Sequence, residues 1–324
     1  MSNFGLIGAA GYIAPRHMKA IRDTGNKLVV ATDPFDSVGV LDRYFYDVAY
    51  FKEFERFDRH IEKLRRKGKN KKVDYISICS PNYLHDAHIR FAMRVDATPI
   101  CEKPIVLNPW NLNALEKLEK EYNKKINTIL QVRHHPAIKK LKNRIDSNSS
   151  TIHDIDLTYI TSRGKWWDYS WKGDINKAGG IEINIGIHFF DMLLWIFGGL
   201  QDSELHIAEP RKKAGYIELD NARVRWFLSL DRDDLPEKAV AENKTTYRSI
   251  TVDGEEIEFS NGFTDLHTVS YQKILDGQGF GIEDVRPVMN LLHDIRNSEP
   301  TGVKLDSTVP LLYQKKKKVS AQVG

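Results

Sequence analysis

The spacing of apolar positions in the first 33 residues changes from that of a strand to that of a helix and back to that of a strand. An apolar run at residues 4–7 ends at Gly8 and Gly11, and apolar positions with helical spacing follow this turn. A second apolar run, at residues 27–32, ends in Asp33. The pattern predicts a strand, a tight glycine turn, a helix and a second strand with an acidic residue at its tip.

The alternation of strand and helix patterns continues to about residue 130. Strands are predicted at 73–79, 99–101 and 126–132, and helices at 51–66, 85–95 and 111–123. Strands that alternate with helices build a parallel sheet covered on both faces, with ligands at the carboxyl ends of the strands. We therefore expect functional side chains directly after each strand.

The pattern changes after Pro136. Strands are predicted at 152–162, 205–209, 222–230, 248–252 and 255–259, and helices at 137–143, 181–197, 265–275 and 283–297. Because most of these strands have no helix between them, the sheet is expected to be largely antiparallel. The sequence predicts an α/β protein with a doubly wound parallel domain at 1–130 and an α+β domain at 131–324, consistent with a length of 324 residues.

Charge and cysteine content indicate a soluble intracellular protein. Forty-eight Lys and Arg nearly balance 44 Asp and Glu, and the basic clusters at 63–72 and 315–318 lack the aromatic pattern of a nucleic-acid site. The two cysteines, Cys79 and Cys101, follow apolar runs and are expected to be buried thiols. With neither a signal segment nor a bilayer-length apolar run apparent, we expect a cytoplasmic protein with no nucleic-acid or membrane partner.

The glycine turn has the features of a dinucleotide site. Its small residues let the backbone approach a pyrophosphate at the start of a helix, where free amides and the helix dipole favour an anion. Asp33, 25 residues after Gly8, can accept both ribose hydroxyls and would repel a 2′-phosphate, which favours NAD over NADP. The spacing Gly8-x-x-Gly11-x-x-Ala14 departs from the usual motif, and each feature alone also fits a plain turn or loop.

Two further groups of residues can carry chemistry. Lys103, in Glu102-Lys103-Pro104 after a predicted strand, can bind a substrate hydroxyl and stabilise alkoxide charge. Asn184 and His188 are four residues apart, so one helical face can present both. Spacing alone favours the plainer alternatives, a surface lysine and a core histidine.

Taken together, the motifs resemble the glucose-fructose oxidoreductase and inositol dehydrogenase family, Gfo/Idh/MocA. The resemblance rests on Glu102-Lys103-Pro104, on Ser80-Pro81-Asn82 with His85, and on the glycine-led segment 179–191. It implies that Lys103 and His188 sit beside the reacting carbinol, with His188 as the base. Many members carry Asp where this chain has Asn184, so Asn184 is expected to orient the substrate. The implied cofactor-binding residues are Gly8, Ala10, Gly11, Tyr12, Ile13, Asp33, Ser80, Pro81, Asn82, His85, Glu102, Lys103 and Arg133.

A narrower likeness points to a nucleotide-sugar substrate. Segments 7–18, 131–136 and 263–268 are similar to the UDP-N-acetylglucosaminuronate 3-dehydrogenase group, called WlbA or WbpB, of bacterial surface-polysaccharide synthesis. This resemblance implies oxidation at carbon 3 of the UDP-linked sugar by NAD, with 2-oxoglutarate able to reoxidise NADH. The wider family implies a homo-oligomer, a dimer or tetramer.

Such a substrate needs fixed cations for its carboxylate and pyrophosphate. Arg163, at the end of a predicted strand, suits a carboxylate because of its forked guanidinium, and Lys172 is a second candidate. The aromatic residues at 166–171 fit either stacking on sugar or uracil, or a core or subunit interface. His267 is a candidate substrate contact or a structural hydrogen-bonding group.

No metal is expected. The histidines lack a ligand spacing, and the adjacent His134 and His135 cannot face one site from an extended strand. Two other functions stay open: a dehydrogenase or reductase of another sugar or polyol such as inositol, and a nucleotide-sensing regulatory protein without turnover. The intact pair Lys103 and His188 argues against the regulatory protein.

Overall fold

The computed structural model describes residues 1–146, 151–257, 265–304 and 306–312. Contacts divide these residues into two compact units. The first unit comprises Met1–His134 and the described part of Gly262–Arg286; the second comprises the described parts of His135–Asn261 and Pro287–Gly324. The predicted boundary between residues 130 and 131 does not anticipate the return of residues 265–286 to the first unit.

Each unit contains a six-stranded sheet. The first unit holds β1 (Asn3–Ile7), β2 (Lys27–Thr32), β3 (Ala49–Phe51), β4 (Tyr75–Ile78), β5 (Thr98–Cys101) and β6 (Asn127–Thr128). The second holds β7 (His153–Thr161), β8 (Leu200–Glu209), β9 (Lys212–Leu219), β10 (Ala222–Ser229), β11 (Thr246–Val252) and β12 (Glu255–Glu256).

Helices follow most strands of the first unit, and three consecutive helices lie between β7 and β8 of the second. The helices are α1 (Ala14–Asp23), α2 (Phe54–Arg66), α3 (His85–Arg94), α4 (Trp110–Tyr122), α5 (Pro136–Asp146), α6 (Trp166–Tyr169), α7 (Ile175–Ala178), α8 (Ile187–Phe197), α9 (Glu237–Ala241), α10 (Leu266–Leu275) and α11 (Ile282–Asn297).

The first sheet is parallel throughout, in the order β3-β2-β1-β4-β5-β6. The central strands β1, β4 and β5 are short runs in which most side chains are buried, as a sheet covered by helices requires, while the edge strand β3 is half-buried. The strand order reverses between β1 and β4, where open parallel sheets form their ligand crevice. The predicted doubly wound domain is confirmed.

The second sheet has the order β12-β11-β7-β10-β9-β8, and only the β7–β10 pair is parallel. Its core includes Trp226 of β10, which meets Phe190 of α8 edge to face with ring centroids 5.2 Å apart. The predicted largely antiparallel α+β domain is confirmed.

Several predicted boundaries are wrong. The helix predicted from Phe51 begins at Phe54, because Ala49–Phe51 pairs with β2 as an edge strand. The strand predicted to reach Val132 ends at Thr128, and Gln131–His134 forms a 3-10 turn, so the argument that separated His134 from His135 does not apply.

Strand β9 was not predicted. Its Gly215 suggests a turn, yet a Cβ atom there would lie 2.7 Å from the Trp226 ring, so glycine allows the close approach of β9 to β10. The end of the strand predicted at 255–259 and the lysine cluster at 315–318 lie outside the described residues.

One segment corrects the expectation that no apolar run has bilayer length. Ile175–Phe197 is long and apolar enough to cross a membrane, but 78% of its most apolar window is buried in the protein. It contains α7 and α8, and α8 packs against α5 within the second unit. Burial in a core accounts for its composition, as in soluble proteins.

Candidate active site

The turn after β1 is held tightly against the end of β4. Gly8 has φ of +88°, and a Cβ atom there would lie 2.6 Å from the Cys79 carbonyl carbon and oxygen. A Cβ atom at Gly11 would come within 3.1 Å of the Gly8 carbonyl oxygen. Gly8 is therefore needed to bring the backbone this close to the end of β4, and Gly11 allows the turn to fold tightly on itself. Both glycines leave the turn without side chains that would obstruct a pyrophosphate.

Asp33 fixes the same turn from the end of β2. Its carboxylate accepts the Ala10 amide at 2.9 Å and the Phe35 amide at 2.9 Å. Each carboxylate oxygen has a further lone pair with which to accept a ribose hydroxyl. The glycine turn and Asp33 thus fit the dinucleotide that the sequence predicts, whereas Tyr12, at the outer edge of the turn, is 89% exposed.

The loops after β4 and β5 are tied to each other by His85. Its Nδ1 lies 2.6 Å from the Pro104 carbonyl oxygen and its Nε2 lies 2.8 Å from the Ser80 carbonyl oxygen. A neutral imidazole donates to one of these oxygens at a time, and burial lowers the pKa of His85. Lys103 is half-buried, and its peptide bond to Pro104 is cis.

Beneath Lys103 lies a buried polar cluster. Glu102 Oε1 is 2.9 Å from His17 Nε2 and 3.0 Å from His267 Nε2. The Tyr271 hydroxyl is 2.7 Å from His17 Nδ1 and 2.6 Å from Ser77 Oγ. We call these five side chains the Glu102 cluster; all of them are buried.

Electrostatics define the charge of the Glu102 cluster. Burial by itself raises the pKa of Glu102, but hydrogen bonds from the two histidines outweigh it and hold that pKa well below its usual range. Burial lowers the pKa of His17 despite the adjacent carboxylate. An anionic Glu102 beside a neutral His17 is the arrangement that these shifts favour.

His17, Glu102 and His267 also offer three ligand atoms within 4.8 Å of one another, as a metal site would. Ligand atoms about 2.0 Å from a tetrahedral zinc are separated by about 3.3 Å. The observed N···O distances of 2.9 and 3.0 Å are instead those of direct N–H···O bonds. The geometry favours hydrogen bonding over metal binding.

The cluster changes the interpretation of two predicted residues. The Glu102 carboxylate, predicted to contact cofactor, is engaged by His17, His267 and the Lys103 amide at 3.2 Å. For His267, the structural hydrogen bond is the alternative that the structure favours, since its side chain is buried against Glu102. No sequence signal could have paired them, because Glu102 and His267 are 165 residues apart.

Arg133 makes contacts within the first unit. Its guanidinium donates to the Asp284 carbonyl oxygen at 2.9 Å and lies over the Phe280 ring, 5.0 Å from the centroid. These contacts attach the turn after β6 to the start of α11. Its predicted role at the cofactor stays a prediction.

In the second unit, Asn184 and His188 stand out by exposure. Every other residue from Ile181 to Leu194 is buried, while these two are half-buried. Asn184 lies in a π-helical turn, Glu182–Gly186, that leads directly into α8. The structure thus places both on the accessible side of an otherwise buried segment, as their spacing predicts, and π-helical turns often mark functional sites.

A buried ion pair that the sequence did not reveal supports this turn. Glu182 is fully buried, and its Oε1 lies 3.0 Å from Nζ of Lys213 on β9. A Cβ atom at Gly180 would lie 2.5 Å from Glu182 Oε2, so the glycine leaves room for the carboxylate. The pair attaches the segment that carries Asn184 to the sheet.

Arg163 and Lys172 lie in one cationic and aromatic region of the second unit. The Arg163 guanidinium lies over Trp167, and Lys172 Nζ lies 4.4 Å from the Trp171 ring centroid. Burial lowers the pKa of Lys172, and the charge of Arg163 lowers it further. Such a pair suits an anionic ligand.

The aromatic residues at 166–171 divide between the two alternatives left open by the sequence. Trp167 is 4% exposed and belongs to the core, whereas Trp166 is 55% and Tyr169 88% exposed.

The predicted catalytic and substrate-binding residues are divided between the two units. Lys103 belongs to the first unit, and Asn184, His188, Arg163 and Lys172 belong to the second. Their catalytic and substrate-binding roles stay predictions.

A parallel sheet with a glycine turn and an acidic second-strand tip defines the class of NAD-binding oxidoreductase domains. The family model described as oxidoreductase family, NAD-binding Rossmann fold, matches residues 2–130, and that described as oxidoreductase family, C-terminal alpha/beta domain, matches residues 151–234. The chain belongs to this Gfo/Idh/MocA oxidoreductase family. The predicted family and the predicted cofactor, NAD, are confirmed.

Solved structures show a close likeness over nearly the whole chain. The WlbA (WbpB) dehydrogenase from Thermus thermophilus, in complex with NAD and alpha-ketoglutarate, is 46% identical with a TM-score of 0.92, over 96% of this chain and 99% of that one. A complex of the Thermus thermophilus enzyme with NAD and UDP-GlcNAcA is 45% identical with a TM-score of 0.91, over the same 96% and 99%.

A more distant relative is the inositol 2-dehydrogenase of Rhizobium meliloti. It is 27% identical over 201 residues, which is 60% of this chain and 54% of that protein. The chain thus spans about half the length of this curated relative.

Replacing Gly8 tests the nucleotide turn. Gly8→Ala places a Cβ atom 2.6 Å from the Cys79 backbone in a left-handed conformation, so we expect a loss of roughly 2 kcal/mol or more of stability and weaker NAD binding. Thermal unfolding and NAD titration calorimetry measure both effects. Gly39→Ala is the control, because a Cβ atom there meets nothing within 4 Å; equal behaviour of the two variants would contradict the prediction.

A double-mutant cycle tests the Glu182–Lys213 pair. Lys213→Met leaves a buried carboxylate without its cation and should lower the free energy of unfolding by about 3 kcal/mol. Glu182→Leu combined with Lys213→Met removes both charges and should recover most of the loss. Denaturant unfolding of the two single variants and the double variant measures the coupling, and simple additivity would show that the pair contributes nothing.

Proposed function

We propose that this protein oxidises the C3 hydroxyl of UDP-N-acetylglucosaminuronic acid to the 3-keto sugar. The observation that carries the proposal is the 45% identity, over 96% of the chain, to a dehydrogenase crystallised with NAD and UDP-GlcNAcA. The cationic region of Arg163 and Lys172 is consistent with a substrate that carries a carboxylate and a pyrophosphate.

In the proposed reaction, His188 removes the proton of the C3 hydroxyl and Lys103 stabilises the alkoxide charge that develops on the oxygen. Bound NAD, held by the glycine turn and Asp33, supplies the hydride acceptor. Asn184 orients the sugar, since an amide does not exchange a proton as a carboxylate would. Arg163 binds the hexuronate carboxylate, with Lys172 beside it.

We further propose that 2-oxoglutarate reoxidises the reduced cofactor, which would make the reaction ping-pong. A related dehydrogenase that is 46% identical was crystallised with NAD and alpha-ketoglutarate, which supports this acceptor. The protein is proposed to act in the cytoplasm, as a dimer or tetramer, in the synthesis of a bacterial surface-polysaccharide sugar.

Oxidation of a free polyol is the second candidate function. The observation that supports it is the 27% identity to an inositol 2-dehydrogenase. The two candidates differ in whether the substrate needs a nucleotide. A free polyol carries no pyrophosphate, so a polyol dehydrogenase needs no cation to bind one in its substrate. Whether turnover requires the UDP group therefore distinguishes the two candidate functions.

Incubating the purified protein with UDP-N-acetylglucosaminuronate and 2-oxoglutarate tests the proposal. Mass spectrometry should show a nucleotide sugar lighter by two hydrogens together with 2-hydroxyglutarate. myo-Inositol and the free hexuronate serve as matched substrates without UDP. Turnover of inositol with none of the nucleotide sugar would replace the proposed function by the polyol reaction.

The proposed roles of Lys103 and His188 predict that either alanine variant loses turnover while NAD still binds. Loss of a positioned base or of alkoxide stabilisation costs about 10²- to 10⁴-fold in rate. Initial rates and NAD titrations measure the two properties. Lys63→Ala and His60→Ala, on α2, are controls with unchanged rates, and near-normal turnover of Lys103→Ala or His188→Ala would overturn the role of that residue.

A further inference from the structure

The Glu102 cluster connects α1, β4 and α10 of the first unit with the segment after β5 that carries Lys103. His17 comes from α1, Ser77 from β4, and His267 and Tyr271 from α10, while Glu102 follows β5. The Lys103 amide lies 3.2 Å from the second oxygen of the same carboxylate. Both oxygens of Glu102 are therefore occupied, one by two imidazoles and the other by the backbone of the residue that follows.

Donor and acceptor roles determine how the protons are arranged. A carboxylate only accepts, so each histidine directs an Nε2–H at Glu102. The other nitrogen of His17 then accepts from the Tyr271 hydroxyl, whose oxygen in turn accepts from Ser77. This assignment satisfies every group in the series of hydrogen bonds from Ser77 to Glu102, with a neutral His17 imidazole and an anionic Glu102.

His267 differs from His17 in that only one of its ring nitrogens has a hydrogen-bond partner in the described part of the chain. Its Nδ1 is buried and makes no hydrogen bond to any residue within the described ranges. The ring is 2% exposed and meets the His17 ring edge to face, with centroids 5.2 Å apart. Its hydrogen bond to Glu102 is thus a direct contact of α10 with the Glu102–Lys103 segment, and Tyr271 of the same helix reaches Glu102 through His17.

We propose that His17 and His267 are positioning residues for Lys103: they hold the Glu102 carboxylate anionic and in one orientation, and Glu102 holds the backbone from which the Lys103 side chain extends. The inference rests on the proposed role of Lys103 in catalysis. It extends that role to α10, an element encoded about 165 residues after Glu102.

Other titratable groups face Glu102 as well. They are Cys79 after β4, Cys101 on β5, His85 on α3 and Tyr271 on α10. Burial raises the pKa of both cysteines and of Tyr271, so each of these three stays neutral near pH 7. The two histidines that donate to Glu102 are therefore the groups that set its charge.

A matched pair of substitutions at His267 tests the inference. His267→Leu removes the N–H donor at similar size, whereas His267→Gln can return an N–H to the same carboxylate. We expect kcat of the leucine variant to fall about 10- to 100-fold, as a misplaced catalytic group costs, with the KM for NAD within about 2-fold of wild type. The glutamine variant should recover most of kcat, and His60→Gln should match wild type.

The pH profile separates positioning from general loss of structure. Glu102 is active as the anion, and its pKa is lowered by the two histidines, so losing one donor raises that pKa. The acid limb of kcat/KM should therefore move to higher pH in His267→Leu and stay in place in His267→Gln. An unchanged acid limb together with unchanged kcat in the leucine variant would overturn the inference.

Three measurements keep the outcomes distinguishable. If His267→Leu does not fold, Tyr271→Phe removes only the hydroxyl that bonds to His17, and it should lower kcat several-fold with NAD binding retained; wild-type kcat in that variant would count against the inference. Normal turnover of Lys103→Ala would instead overturn the proposed role of Lys103, on which this inference rests, and would leave the proposed reaction itself to the substrate test. One equivalent of zinc in the purified protein, lost together with activity on chelation, would replace the positioning role by a metal site.

Discussion

The first unit depends on one buried charge. A carboxylate out of contact with water is unfavourable unless donors surround it, and Glu102 has three, from His17, His267 and the Lys103 amide. Satisfying that charge requires α1, the loop after β5 and α10 to meet at one point. Glu102 itself follows β5, and its amide donates to the carbonyl oxygen of Ile78 at the end of β4, next to the point where the sheet order reverses.

The second unit solves a similar problem with an ion pair. Glu182 is buried in the turn that carries Asn184, and Lys213 reaches it from β9. In both units a residue from a different element contacts a buried carboxylate next to a candidate catalytic segment. Local sequence places the candidate catalytic residue at the end of a strand or in a helical turn, and a distant partner contacts the segment that carries it.

The features that the sequence predicts are those set by residues close together along the chain. The glycine turn, Asp33 and the Glu102-Lys103-Pro104 motif each follow an apolar run, and the parallel sheet places them at one edge. The sequence does not predict Glu102 bonded to His17 and His267, because those partners are 85 and 165 residues away. The π-helical turn at Glu182–Gly186 has a hydrogen-bond spacing that an apolar pattern of period 3.6 does not reveal.

The return of residues 265–286 to the first unit has a consequence for synthesis of the chain. Tyr271 and Ile274 of α10 belong to the same apolar core as Phe4, Met18 and Ile21. Domains usually fold as units while the ribosome extends the chain from its N-terminus. Here α10 is translated after most of the second unit, so it cannot pack against α1 when the nucleotide-binding sheet first forms. Until α10 is made, the apolar side chains of α1 that it covers stay exposed.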